Sequence, residues 1–154
     1  MTEKNDNLVK IAFSFHSNVL DRWTVETMWA SPVDIQKGLY KLENIPFYAP
    51  VASEDIVFAE YDNTEERLVY RETVEYSGNS TVQVIVMEKS IDANSIRNNL
   101  ELLGCPSEKC NDSYFVVEIP ASVDYRPVKE KLKELQDNGI IDYAEPSLSA
   151  HHSA

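Results

Sequence analysis

Glycine is scarce in this chain: there are 4 in 154 residues. They stand singly at 38, 78, 104 and 139, so no glycine-rich loop exists to cradle a phosphate. Cysteine is scarcer still. Cys105 and Cys110 have four residues between them in "GCPSEKC", where redox and zinc pairs usually have two, and zinc would need a second pair of ligands. Histidine, the usual acid/base near neutral pH, is limited to His16, His151 and His152. Two of these are sequence neighbours that cannot both face one site. No apolar run approaches the roughly 20 residues of a membrane helix, and "MTEKNDNLVK" has no apolar stretch after its charges, so no secretory signal is expected. With so few cysteines, a reducing bacterial cytoplasm is the expected compartment.

Positive charge is also short. The chain carries 14 Lys and Arg against 26 Asp and Glu, a formal charge of −12. The excess is shared by both halves and is not an acidic tail. Such a field repels nucleic acid and anionic lipid, and it attracts basic partners. Neither a nucleic acid nor a membrane partner is therefore expected.

What is present is an ordinary globular composition, 43% hydrophobic and 26% charged. A chain of this length buries enough surface to fold without metal or disulfide. Residues 8–15, 22–31, 38–45, 55–62 and 67–76 read as strands, in places alternating between apolar and polar faces. In the last of them Leu68, Tyr70, Val74 and Tyr76 share one face, with Glu72 as the misfit among them. An unpaired buried carboxylate is costly, so Glu72 is expected to be tethered to a base beneath the sheet. Five strands with short polar turns predict a small antiparallel sheet curled into a barrel over residues 1–80.

The texture changes after "SGNST" (77–81). Strand 82–87, helix 92–104, strand 114–120, helix 124–139 and strand 140–146 follow. Asp92 and Asp124 are helix caps and Gly104 and Gly139 are stops. The fold class is thus α+β: an N-terminal antiparallel β-sheet or barrel, then a β-α-β-α-β unit over 81–146 whose crossovers should be right-handed. Residues 147–154 are expected to be a frayed, disordered tail.

"VETMWASP" (25–32), "YKLENIPFYAPVASEDIVFAE" (40–60), "VEYSGNSTVQV" (74–84) and "YFVVEIPASVDYRPVKEKLKEL" (114–135) resemble an uncharacterised bacterial family, the domain of unknown function 4265. The resemblance runs in order through nearly the whole chain. It implies a fold and no activity. The family pattern favours a glycine where this chain has Glu54, and a histidine in the serine-glycine turn where this chain has Asn79.

Two stretches carry candidate chemistry. In "IPFYAP" (45–50) the prolines force a stiff loop, and Phe47 and Tyr48 read as lids on the barrel core. After it, Glu54, Asp55, Glu60, Asp62, Glu65 and Glu66 bring six acids into thirteen residues before Arg67. A calcium loop would need alternating ligands, a turn glycine and a closing glutamate, and "DNTEERL" has no such order. The segment is either a solvated hairpin tip or a docking edge for a basic protein. No catalytic residue, metal ligand or cofactor site is assigned. Cys105 and Cys110 are expected to be reduced, partly buried and dispensable, with a reversible disulfide closing this loop as the alternative.

Three function classes remain. The first is a non-enzymatic acidic binding protein, concretely an immunity or antitoxin-type protein that neutralises a basic partner such as a toxin domain. The second is a small enzyme with carboxylates and tyrosines in a pocket between the halves, and the third a structural subunit.

Overall fold

The computed structural model describes residues 7–153. They form two compact units divided between Ser77 and Gly78, inside the turn where the sequence changes texture.

The first unit has strands β1 (Val9–Ser17), β2 (Arg22–Asp34), β3 (Leu39–Leu42), β4 (Ile56–Asp62) and β5 (Arg67–Glu75). Each pairs antiparallel with the next, and the sheet closes into a barrel. An up-and-down sheet with an odd number of strands leaves its first and last strands pointing the same way. The closing pair is therefore parallel, with Ile11 beside Leu68 and Ala12 beside Val69. Closure removes the exposed strand edges that invite aggregation. Ile11, Phe13, Met28, Leu42, Val57 and Ala59 fill the interior, and Phe13 stacks on Tyr70 with ring centroids 4.5 Å apart. Between β2 and β3 a short 3-10 turn ends at Gly38, where φ is +73°. A Cβ there would lie 2.8 Å from the Phe58 ring and 2.9 Å from the Ala59 carbonyl, so only glycine fits.

The second unit runs β6 (Ser80–Val86), α1 (Ala93–Leu102), β7 (Ser107–Asn111), β8 (Tyr114–Ile119), α2 (Tyr125–Asp137) and β9 (Ile141–Ser147). Asp92 and Asp124 accept backbone N–H bonds from Asn94 and Arg126, as N-caps should. The sheet order is β7-β8-β6-β9 with every pairing antiparallel. Ile96, Leu100, Val128 and Leu132 of the helices meet Val82, Val84, Phe115 and Val117 of the sheet in one core. The order β-α-β-β-α-β in this arrangement is the ferredoxin-like one.

Two expectations need correction here. The unit has one strand more than the expected β-α-β-α-β, because "SEKCN" forms β7. It lies at the sheet edge and is mostly exposed, so it has no apolar face for periodicity to detect. Nor is segment 147–154 a frayed tail as far as it is described: Ser147 ends β9, and His152 is only 6% exposed.

Candidate functional site

The six acids of the expected docking edge do not form one cluster. Glu54 and Asp55 precede β4, while Asp62, Glu65 and Glu66 lie at its other end, roughly 20 Å away along the strand. Asp55 is not on a surface at all: it is 1% exposed. Its carboxylate accepts from the backbone N–H of Ala52 at 3.1 Å and of Ser77 at 2.9 Å. Burial pushes its pKa up despite those two bonds, which pull it down. Asp55 is a structural tie, and it leaves the docking set. Glu54 is exposed but sits in the left-handed region at φ +68°, a conformation that costs a side-chain-bearing residue.

The hairpin tip between β4 and β5 is more coherent. Asp62 Oδ1 accepts from the N–H of Thr64 at 2.8 Å and of Glu65 at 3.0 Å. Those bonds, with a smaller contribution from Arg71, hold its pKa below the usual carboxylate value. Glu60 pairs with Arg71 at 3.0 Å and Glu65 with Arg67 at 2.9 Å. Four carboxylates against two guanidinium groups leave an excess of two negative charges at the tip. Tyr61, 59% exposed, stands between Glu60 and Asp62 on β4.

Glu72 also departs from expectation. The register of β4 and β5 shifts twice, with Val74 and then Arg71 as the extra residues. Each bulge displaces the alternation by one. Glu72 and Val74 consequently face solvent, and Tyr70 stays with the core. Glu72 has no buried carboxylate to tether.

The loop "IPFYAP" is held by a residue that sequence reading passed over. The Glu26 carboxylate of β2 accepts from three consecutive usable donors: the N–H groups of Phe47 at 2.6 Å, Tyr48 at 2.9 Å and Ala49 at 2.8 Å. Pro46, Ala49, Val51 and Ala52 are buried, whereas Phe47 and Tyr48 are half-buried. The small residues, more than the aromatic lids, pack the loop down. Glu26 lies directly opposite Phe13 of the core, so an acid at that place could have been questioned from alternation alone. On the same strand Trp23, Val25 and Trp29 are exposed, with the Lys10 ammonium 5.0 Å from the Trp29 ring centroid and the His16 ring edge-on to Trp23.

In the second unit Ser80 Oγ lies 2.6 Å from His152 Nδ1. The pair has the composition of a nucleophile and base, but Ser80 is fully buried and a substrate would not reach it. Tyr125 donates its hydroxyl proton to Glu145 at 2.5 Å, and Lys129 reaches the same carboxylate at 2.9 Å. Burial first, then Glu145, pushes the Tyr125 pKa well above the ordinary phenol value. This carboxylate and tyrosine are engaged with each other, joining α2 to β9. Cys105 is fully buried in the core of the unit, and Cys110 is exposed. Both are thiols. The expectation that both are partly buried is therefore corrected: one is fully buried and the other exposed. Replacement of Cys105 by serine would bury a hydroxyl among apolar groups. Among the described residues no group of three or more His, Cys, Asp or Glu is placed to hold a metal, and no helix is long and apolar enough to cross a membrane.

Residues 26–143 match the model of the family "Domain of unknown function (DUF4265)". The chain belongs to this family. The matched span opens at Glu26 and includes the loop it holds, Asp55 and the acidic hairpin. No curated protein matches the chain. Among solved structures it is similar to a hypothetical protein from Neisseria gonorrhoeae, with a TM-score of 0.77 and 21% identity over 92% of this chain and 95% of that one. At that identity the likeness shows the fold. At Glu54, where the resemblance implied a glycine, φ is positive, a conformation that suits glycine. At Asn79, where it implied a histidine, the side chain accepts a hydrogen bond from the N–H of Ala121 at 2.9 Å, so the position has a structural task in the turn.

Proposed function

We propose that this DUF4265 chain is a non-enzymatic binding protein that docks a basic protein partner through the tip of the β4–β5 hairpin, as an immunity or antitoxin-type protein would. The observation that carries this reading is the hairpin tip, where Glu60, Asp62, Glu65 and Glu66 outnumber Arg67 and Arg71, and where Tyr61 is 59% exposed on the face of β4 opposite Glu60 and Asp62. An aromatic side chain supplies contact area at small entropic cost, and a charged rim adds steering and register. The net charge of −12 extends the attraction beyond the contact itself.

Arg67 and Arg71 pair with Glu65 and Glu60 at the tip. With part of the local charge already compensated, electrostatics should govern the rate of encounter, and the aromatic anchor the lifetime of the complex. The test uses two baits on lysate from the native host: the wild type and a variant with Glu60→Gln, Glu65→Gln and Glu66→Gln. Asp62 is spared because it caps the turn. A basic protein enriched on the wild type and depleted on the variant supports docking at the tip. Equal enrichment on both baits makes the hairpin a solvated turn.

A further inference from the structure

The segment after β9 is attached to the second unit through a buried histidine and a backbone hydrogen bond from Ser149. His152 Nε2 lies 3.1 Å from the Pro120 carbonyl oxygen, which can only accept. Nε2 therefore carries a proton, and in the neutral ring Nδ1 accepts from the Ser80 hydroxyl at 2.6 Å. Ser80 Oγ in turn accepts from the N–H of Ser149 at 2.7 Å. One directed chain thus runs from Ser149 N–H through the Ser80 hydroxyl to His152 and on to Pro120. It joins the segment to the start of β6 and the end of β8. The imidazole also meets the Tyr125 ring edge-on, with centroids 5.8 Å apart. Gly78 leaves room for His151, since a Cβ there would come within 3.2 Å of its Cδ2.

We propose that residues 149–153 form an acid-opened latch on this unit, in which protonation of His152 reverses the hydrogen bond to Ser80 and frees the segment. A protonated imidazole has a donor on both nitrogens. Nδ1–H would then point at the Ser80 hydroxyl, and the serine proton would lose its acceptor at a fully buried site. An unsatisfied buried donor opposes that arrangement. The groups facing His152 are Ser80 from β6, the Pro120 carbonyl from the end of β8, and Asp124 and Tyr125 from the start of α2. Arg126 and His151 stand beside them, lining the same cavity of about 360 Å³. Asp124 attracts an imidazolium, but its carboxylate is also held by the Arg126 guanidinium at 2.8 Å. The latch is therefore closed while His152 is neutral and opens when the ring takes up a second proton. Opening uncovers Ser80, the Pro120 carbonyl and the Tyr125 ring.

Nuclear magnetic resonance of isotope-labelled protein tests this. The imidazole nitrogen shifts of His152 should report the Nε2–H tautomer at about pH 8. Protection factors of the Ser149 and His152 amides, corrected for intrinsic exchange, should fall together as the pH is lowered and the His152 ring becomes protonated. Ser80→Ala should lower that protection about fivefold at the higher pH, the loss of one ordinary hydrogen bond. His152→Phe, which keeps a ring but cannot titrate, should remove the pH dependence and provides the readout if the serine variant does not fold. An Nδ1–H tautomer, or protection that stays constant as the ring titrates, overturns the proposal.

Discussion

Single residues hold strain and ties that composition does not reveal. Glu54 adopts φ +68°, where a side chain costs about 1–2 kcal/mol, while glycine in its place loses about 0.5–1 kcal/mol more entropy on folding. Relief of strain is the larger effect. Glu54→Gly should therefore stabilise the protein by about 0.5–1 kcal/mol, read as a higher denaturant midpoint at constant slope. A lower midpoint would mean that the glutamate side chain makes contacts worth more than the strain. The cysteines divide in the same residue-by-residue way. Burial pushes the Cys105 thiol up to about 11, with the Glu118 charge adding to it. A thiol reagent should titrate one cysteine in the native protein and two after unfolding. Cys105→Ser should cost about 1–3 kcal/mol and Cys110→Ser close to nothing, both measured by chemical unfolding under reducing conditions. The sequence identified both residues as thiols but could not separate them, because burial depends on the core that residues far along the chain assemble.

At the scale of elements, carboxylates fasten loops, and they do so with opposite signs of pH dependence. Glu26 holds three backbone N–H groups of the loop before β4. Glu26→Ala leaves those donors in a part-buried place and should cost about 2–4 kcal/mol, the range of charge-assisted hydrogen bonds with one partner removed. Loss should be focused on the loop, so exchange of the Phe47 to Ala49 amides rises more than that of β1. Asp62 and Asp55 form a contrasting pair. The folded pKa of Asp62 is depressed, so its contribution is present above the ordinary 3.8 and is lost as pH falls through the folded value. That of Asp55 is raised, so its contribution is complete below 3.8 and is lost as pH rises through the folded value. The amide shifts of Thr64 and Ser77, followed from neutral pH into acid, should give midpoints on opposite sides of 3.8. Coinciding midpoints would show that the two environments do not differ as described. Much at this scale was legible in advance: every strand of the barrel, both helices and both caps follow from period and capping residues. The misplacement of Glu72 and the missing β7 have specific causes. A bulge changes the face of every residue beyond it without any mark in the alternation, and an edge strand with no core side has no period to read.

For the whole molecule, charge and fold were legible while the site was only partly so. The six acids fall within thirteen residues of sequence, but β4 separates them in space and Asp55 turns inward, so the docking reading contracts to the hairpin tip with Glu60, Asp62, Glu65, Glu66 and Tyr61. Glu26 escaped notice because its partners lie more than twenty residues away. The central claim is that this tip is where a basic partner binds. Its most direct test is the association and dissociation rates of the captured partner, measured from low to high salt for the wild type, the triple glutamine variant and Tyr61→Ala. The account predicts that the glutamine variant associates more slowly and loses much of the salt dependence. Tyr61→Ala should associate at nearly the wild-type rate and dissociate at least tenfold faster, in line with a loss of roughly 1–2 kcal/mol at an anchor. Rates for both variants equal to the wild type at every salt concentration would contradict the account and place the interface elsewhere on the molecule.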